Sequence, residues 1–175
     1  MPGDTRTVDT PVRSDPEALD LRSPNLEDGA ALWRITAESK VLDLNSSYAY
    51  LLWCRDFAES SIVATSDGEP VGFVTGFLRP DQPDTLMVWQ VAVDSEFRGR
   101  GLAKRMLDHL VDRLAGELVA WLETTVTPDN QASARLFASF AEARDAELVR
   151  EPAFAAELFP DEHETEELFR IGPLA

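Results

Sequence analysis

Val91-Ala92-Val93-Asp94-Ser95-Glu96-Phe97-Arg98-Gly99-Arg100-Gly101-Leu102-Ala103-Lys104-Arg105-Met106-Leu107 decides the fold. An apolar run from Leu86 to Val93 leads into it, a turn rich in Arg and Gly follows, and a periodic helix begins. The pattern predicts a strand, a loop able to hold an anion, and a helix whose N-terminus faces that loop. Backbone N–H groups at a helix start carry about half a positive charge and point at whatever fills the loop. Gly99 and Gly101 lack a Cβ, so the backbone can turn sharply and a ligand can approach closely.

Arg98, Arg100, Lys104 and Arg105 lie close together with no acid among them, in a chain of 16 Lys and Arg against 32 Asp and Glu. So concentrated a basic cluster suggests a phosphorylated ligand; a basic helix start on a solvated face is the plainer alternative. The segment is not a dinucleotide fingerprint, because its glycine spacing is wrong and no acid ends a second strand about 20 residues on.

The formal net charge of −16 argues against nucleic-acid binding, which needs a broad basic face, and favours cationic substrates. At 175 residues the chain is expected to form one domain, residues 18–175, behind a disordered tail, residues 1–17. No apolar run approaches membrane-spanning length, and Met1 to Glu17 lack the apolar core of a signal peptide. A single cysteine, Cys54, fits a cytoplasmic protein and reads as a small core residue rather than a nucleophile.

Outward from the central stretch, the expected order is strand, two helices, three strands, helix, strand, helix, strands. Leu19 to Arg22 forms the first strand. A helix opens at Ser23-Pro24-Asn25 and runs to about Lys40, with Leu32, Ile35 and Ser39 on one face. Asn45 or Ser46 caps a second helix. Ser60–Thr65 and Pro70–Leu78 pair across a turn, Arg79 to Asp84 is a loop, and Thr85–Val93 is the central strand. The helix from Gly101 to Leu118 turns Leu102, Met106, Leu107, Leu110, Val111 and Leu114 inward. Val119–Val126 is a buried strand, and Ala132–Phe140 a helix with Leu136, Phe137 and Phe140 inward. Ala146–Val149 reads as a strand, Glu151–Pro160 as a loop or short helix, and Leu168–Ile171 as the last strand.

The spacing Arg98-x-x-Gly101-x-Ala103 after an apolar strand resembles the acyl-CoA pyrophosphate loop of the GCN5-related N-acetyltransferases. Asn130-Gln131-Ala132-Ser133 resembles a second feature of that family. There an Asn opening the helix after the fifth strand meets the pantetheine arm, and a small residue three positions later permits close approach. Taken alone, that segment is equally a capped amphipathic helix. The resemblance implies an α/β fold with a mixed, mostly antiparallel sheet flanked by helices. It implies acetyl-CoA as cosubstrate and no metal. The cofactor residues would be Val91, Ala92, Val93, Arg98, Gly99, Arg100, Gly101, Leu102, Ala103, Asn130 and Ser133. Backbone N–H groups of Val91 to Val93 would stabilise the oxyanion. Many members protonate the departing thiolate with a Tyr seven residues after the Asn. Phe137 stands there, which leaves Tyr48, Tyr50, His163 or water.

Asp43-Leu44-Asn45-Ser46-Ser47-Tyr48, the Trp89-to-Val93 strand and the His163/Glu166 cluster resemble one branch of the family, the diaminobutyrate acetyltransferases of ectoine biosynthesis. That implies L-2,4-diaminobutyrate as acceptor, acetylated on its γ-nitrogen. The implied substrate-binding residues are Asp43, Tyr48, Trp89 and Glu166, and the implied catalytic ones Tyr48, Glu166 and His163. A homodimer is expected, from the resemblance and from apolar Leu51 and Trp53. Each residue also has a plainer role: Asp43 as a helix-dipole partner, Tyr48 and Trp89 as core or rim aromatics, Asp161 to Glu167 as a solvated acidic loop. The alternatives are another small-amine acceptor (a polyamine, lysine or ornithine), or a non-catalytic acyl-CoA-binding module.

Overall fold

The computed structural model describes residues 19–115 and 119–174. The tail expected over residues 1–17, and the end of the helix expected to reach Leu118, fall outside the described residues. Among the described residues, seven strands form one sheet in the order β1-β2-β3-β4-β5-β7-β6. They are β1 (Leu19–Arg22), β2 (Ile62–Ser66), β3 (Glu69–Arg79), β4 (Gln82–Val93), β5 (Trp121–Val126), β6 (Glu147–Phe154) and β7 (Glu166–Gly172). Only β4 and β5 pair in parallel; every other neighbour is antiparallel. Helices α1 (Gly29–Ser39) and α2 (Ser47–Asp56) contribute to one core cluster, and α3 (Leu102–Leu114) and α4 (Gln131–Ala143) to the other.

The six apolar positions expected inward on α3 are all buried. The first helix differs from expectation. Asn25 caps a single 3₁₀ turn, Leu26–Asp28, and the α-helix begins at Gly29. The Asn25 carboxamide accepts from the Glu27 N–H (2.9 Å), and Asp28 accepts from the Asn25 N–H (2.8 Å). Asp28 is buried and takes two hydrogen bonds from Arg22 (2.7 and 2.9 Å), which ties β1 to the helix start. Burial pushes its pKa up, but Arg22 and the Asn25 N–H outweigh that and hold it below the ordinary carboxylate value. Ser39 does not extend the apolar face. Its hydroxyl donates to the Thr36 carbonyl (2.7 Å) and accepts from the N–H groups of Val41 and Leu42 (3.4 and 3.3 Å), turning the chain out of α1.

Four strands are longer than expected: β7 starts at Glu166 and ends at Gly172 instead of spanning Leu168–Ile171, β3 gains Glu69 and Arg79, and β4 and β6 grow most at one end. β4 starts at Gln82, so the connection expected over Arg79 to Asp84 shrinks to a tight turn, with Pro83 inside the strand. β6 runs to Phe154 instead of ending at Val149, because Arg150 to Pro152 continue the ladder with β7. A 3₁₀ turn, Ala156–Leu158, follows it.

Two irregularities open the centre of the sheet. Thr75 pairs with Gln90 but Gly76 pairs with Val88, so Trp89 is an extra residue in β4, a β-bulge. Leu86 and Val88 therefore belong to the α3/α4 core, whereas beyond the bulge Ala92 belongs to the α1/α2 core. The parallel pairing of β4 with β5 covers only Thr85 to Val88 against Trp121 to Thr124. Past that point the strands diverge, and Val91 to Val93 have no partner on the β5 side.

The closed end of this split is pinned by charge. The Glu123 side chain, on β5, is 2% exposed and accepts from Arg79 of β3 (2.8 Å) and Arg170 of β7 (2.7 Å). Arg170 also lies over the Trp121 ring, 4.4 Å from its centroid. Cys54 is buried in the α1/α2 core, where burial pushes its thiol up to about 11. No described helix is long and apolar enough to cross a membrane.

Candidate active site

Three cavities run along the split. The first, about 380 Å³, lies against the Arg/Gly loop, with Arg98, Gly99, Gly101 and Lys104 on one side and Ser133 and Leu136 of α4 on the other. Gly99 and Gly101 have φ of +73° and +71°, in the left-handed region that favours glycine, and a Cβ at either would meet nothing within 4 Å. The loop therefore presents backbone to open space, as an anion cradle must. Gly101 is the residue that caps α3. Arg98 is turned back, its Nε donating to the Val93 carbonyl (2.9 Å), and Arg100 lies over the Phe97 ring. Leu102, expected among the cofactor residues, lines this cavity yet is itself buried in the core, and Ala103 lines it beside Lys104. Arg100 is not among the lining residues.

The middle cavity, about 210 Å³, shares Val91, Val93, Arg98 and Ser133 with the first and adds Ala92 and Asn130. Asn130 caps α4 by accepting from the Ser133 N–H (3.1 Å). That places both residues of the second motif at the mouth of the split.

The third cavity, about 270 Å³, meets the middle one at Val41, Leu42 and Asn130. It brings together Asp43, Trp89, His163 and Glu166, four of the five acceptor-site and catalytic residues named from the sequence. The acidic run is not simply a solvated loop: Glu166 opens β7 and its side chain is 16% exposed. Nε2 of His163 sits 3.5 Å from Asp43 Oδ2 and 3.6 Å from Glu166 Oε1. Its Nδ1 is 2.7 Å from the Glu164 carbonyl, and the ring stacks on Phe159 at 3.9 Å. A carbonyl only accepts, so Nδ1 carries a proton and Nε2 faces the two carboxylates. The hydrogen bond to Glu164 raises the imidazole pKa; burial opposes it, and Glu166 and Asp43 add to the rise, so the net shift is upward. Glu166 is also raised, first by burial and then by the charges of Asp43 and Asp129, although Thr125 and His163 pull the other way. Two carboxylates converging on one ring nitrogen make a site suited to an ammonium group.

Tyr48 does not line this cavity; it stands in the first turn of α2, 65% exposed. Tyr50, one of the candidate thiolate acids, is fully buried and donates to Gln90 Oε1 (3.2 Å), so its proton is committed to the core. Phe137 is a core residue of α4. Trp53, expected exposed, stacks on Trp89 (4.7 Å), with Phe57 4.6 Å away. Gln90 and Thr125 line the cavity and were not singled out from sequence. A Gln interrupting the apolar run from Val88 to Val93 was the available signal for the first. Nothing local marks Thr125.

The acetyltransferase (GNAT) family model matches residues 29–141. The L-2,4-diaminobutyric acid acetyltransferase of Streptomyces coelicolor is 61% identical over 160 residues, covering 90% of this chain and 94% of that protein. The enzyme of the same name from Marinococcus halophilus is 48% identical, covering 90% and 91%. Among solved structures, the diaminobutyrate acetyltransferase of Paenibacillus lautus, in complex with its substrate L-2,4-diaminobutyric acid and coenzyme A, superposes with a TM-score of 0.85. It is 42% identical, and the match covers 89% of this chain and 95% of that one.

Proposed function

We infer the reaction from the family: this chain belongs to the GNAT acetyltransferases, and it transfers the acetyl group of acetyl-CoA to L-2,4-diaminobutyrate. The acceptor nitrogen we assign is the γ-amino group, which gives the N-γ-acetyl product used in ectoine synthesis. The observation that carries the assignment is the continuity of the three cavities. A phosphate-accepting loop at one end joins, through the unpaired edge of β4, a two-carboxylate pocket at the other.

The residues fit acetyl-CoA on the chemistry of the loop. Backbone N–H groups around Gly99 and Gly101, with Lys104 nearby, suit the pyrophosphate, and Asn130 and Ser133 suit the pantetheine arm. The thioester supplies the acetyl group. The β5-facing edge of β4 along Val91 to Val93, left unpaired on that side, offers backbone donors to the carbonyl oxygen as charge builds on it. Asp43 and Glu166 hold the acceptor's ammonium groups, and Trp89 walls the pocket. An ammonium must lose a proton before it attacks, and Glu166, whose pKa burial raises, is the base we assign. His163 is the one of the three named protein acids that lines the pocket, and it carries the proton toward the departing thiolate.

Residues 18–175 would act as one domain, in the cytoplasm, as a homodimer. Exposed Leu44, Tyr48 and Leu51, on and just before α2, support the pairing, and light scattering of the purified chain tests it. The reaction is tested by thiol release from acetyl-CoA with 2,4-diaminobutyrate, against ornithine, lysine and spermidine, with the product identified by NMR. Preference for 2,4-diaminobutyrate with γ-acetylation is expected. Preference for another amine would replace the substrate and keep the family.

A further inference from the structure

We propose that Gln90 is a positioning residue for the acceptor: its carboxamide fixes the Asp43 segment over the sheet and thereby sets the length of diamine the pocket takes. The inference rests on the acceptor assignment above. Gln90 is 5% exposed and lines the two-carboxylate pocket. Its Nε2 donates to the Asp43 carbonyl (2.9 Å), and its Oε1 accepts from the Tyr50 hydroxyl (3.2 Å). The amide can face only one way. Turned over, it would set Oε1 against the Asp43 carbonyl, two acceptors with no proton between them.

Everything behind the amide is rigid. The Tyr50 ring is fully buried, edge-on to Phe73 at 6.5 Å. The Gln90 N–H donates to Thr75 Oγ1 (3.2 Å), and that hydroxyl also reaches the Gln90 carbonyl (3.5 Å). In front of it lies an irregular loop. Residues 41–46 have no regular structure, and the Asp43 side chain is 87% exposed. Among the described residues, the Gln90 contact is the one hydrogen bond from this loop to the sheet. A rigidly held donor gripping the backbone of an exposed carboxylate sets the distance from that carboxylate to the open edge of β4. Acceptors one methylene apart are told apart by such a distance.

The test is steady-state kinetics of Gln90→Met, Tyr50→Phe, Asp43→Ala and the Gln90→Met/Asp43→Ala double variant, with 2,4-diaminobutyrate and ornithine as acceptors. Gln90→Met is expected to raise the acceptor KM about three- to tenfold, the worth of one ordinary hydrogen bond, and to narrow the preference between the two amines. The KM for acetyl-CoA should stay within about twofold. Tyr50→Phe should act in the same direction but less, because the donor to Asp43 remains. In the Asp43→Ala background Gln90→Met should add little. The proposal is overturned if Gln90→Met leaves the acceptor KM unchanged, if its effect persists in full without the Asp43 carboxylate, or if it falls on acetyl-CoA alone. Should Gln90→Met not fold, Gln90→Asn, which keeps the amide but cannot reach Asp43, replaces it. If the wild type prefers a different amine, the acceptor assignment fails, and the same cycle run with that amine still decides on Gln90.

Discussion

Replacing Glu123 by Gln removes one charge from a side chain that is 2% exposed and touches two guanidinium groups. Hydrogen bonds to charged groups contribute about 1.5–3 kcal/mol each. A glutamine keeps one acceptor oxygen but points an NH₂ group at an arginine that cannot accept. One contact is lost outright and the other loses its ion-pair attraction, keeping only its charged donor. Arg79 and Arg170 are 29% and 31% exposed, so each can turn toward water, which keeps the cost below that of a fully stranded charge. Glu123→Gln should therefore destabilise by about 2–3 kcal/mol, against about 3–5 kcal/mol for breaking a sealed pair. In a chain of this size that lowers Tm by roughly 5–10 °C. Urea denaturation should show a lower midpoint with an unchanged slope. Because β4 and β5 share only four paired positions beside this carboxylate, the KM for acetyl-CoA should also rise several-fold. A loss of stability under about 0.5 kcal/mol, the size of an ordinary surface substitution, would refute the view that Glu123 pins the closed end of the split.

Glu166→Gln should lower kcat with 2,4-diaminobutyrate by about 10²- to 10⁴-fold, as loss of a general base does, while acetyl-CoA binding by calorimetry stays intact. The kcat with the acceptor should fall as pH rises through the raised pKa of His163, because only the protonated imidazole can hand a proton to the thiolate; in His163→Gln kcat should drop and that limb should vanish from the pH profile. Gly101→Ala places a Cβ on a residue with φ of +71°, with no steric clash but with backbone strain of about 1–2 kcal/mol, so a modest Tm loss and weaker acetyl-CoA binding should appear together.

The order of elements was legible because each carries its own period. The α3 apolar spacing and the apolar run into Val93 speak locally, and both held; the helix expected from Gly101 starts one residue later, with Gly101 as its cap. Strand ends were less legible. Pro83 and Pro152 look like breakers, yet both sit in strands, since tertiary pairing overrides local preference. The bulge at Trp89 leaves no mark in the sequence, because it arises from the mismatch between two strands. It also conceals the role of Gln90, which alternation alone cannot place. Asp43, His163 and Glu166 were nameable, but their convergence on one nitrogen depends on a loop before α2 meeting the start of β7, far apart in the chain. Tyr50 and Tyr48 were interchangeable on paper and are opposite in the fold, one sealed and one exposed.

The burial of Cys54 has a practical consequence for anyone assaying this chain. It is the single cysteine, and burial both shields it and pushes its thiol up to about 11, so little thiolate is available at pH 8. A colour-forming disulfide reagent added to the reaction will therefore react with the thiol the enzyme releases and scarcely with the enzyme itself. The protein is a silent background to its own product, and turnover can be followed continuously without first blocking it.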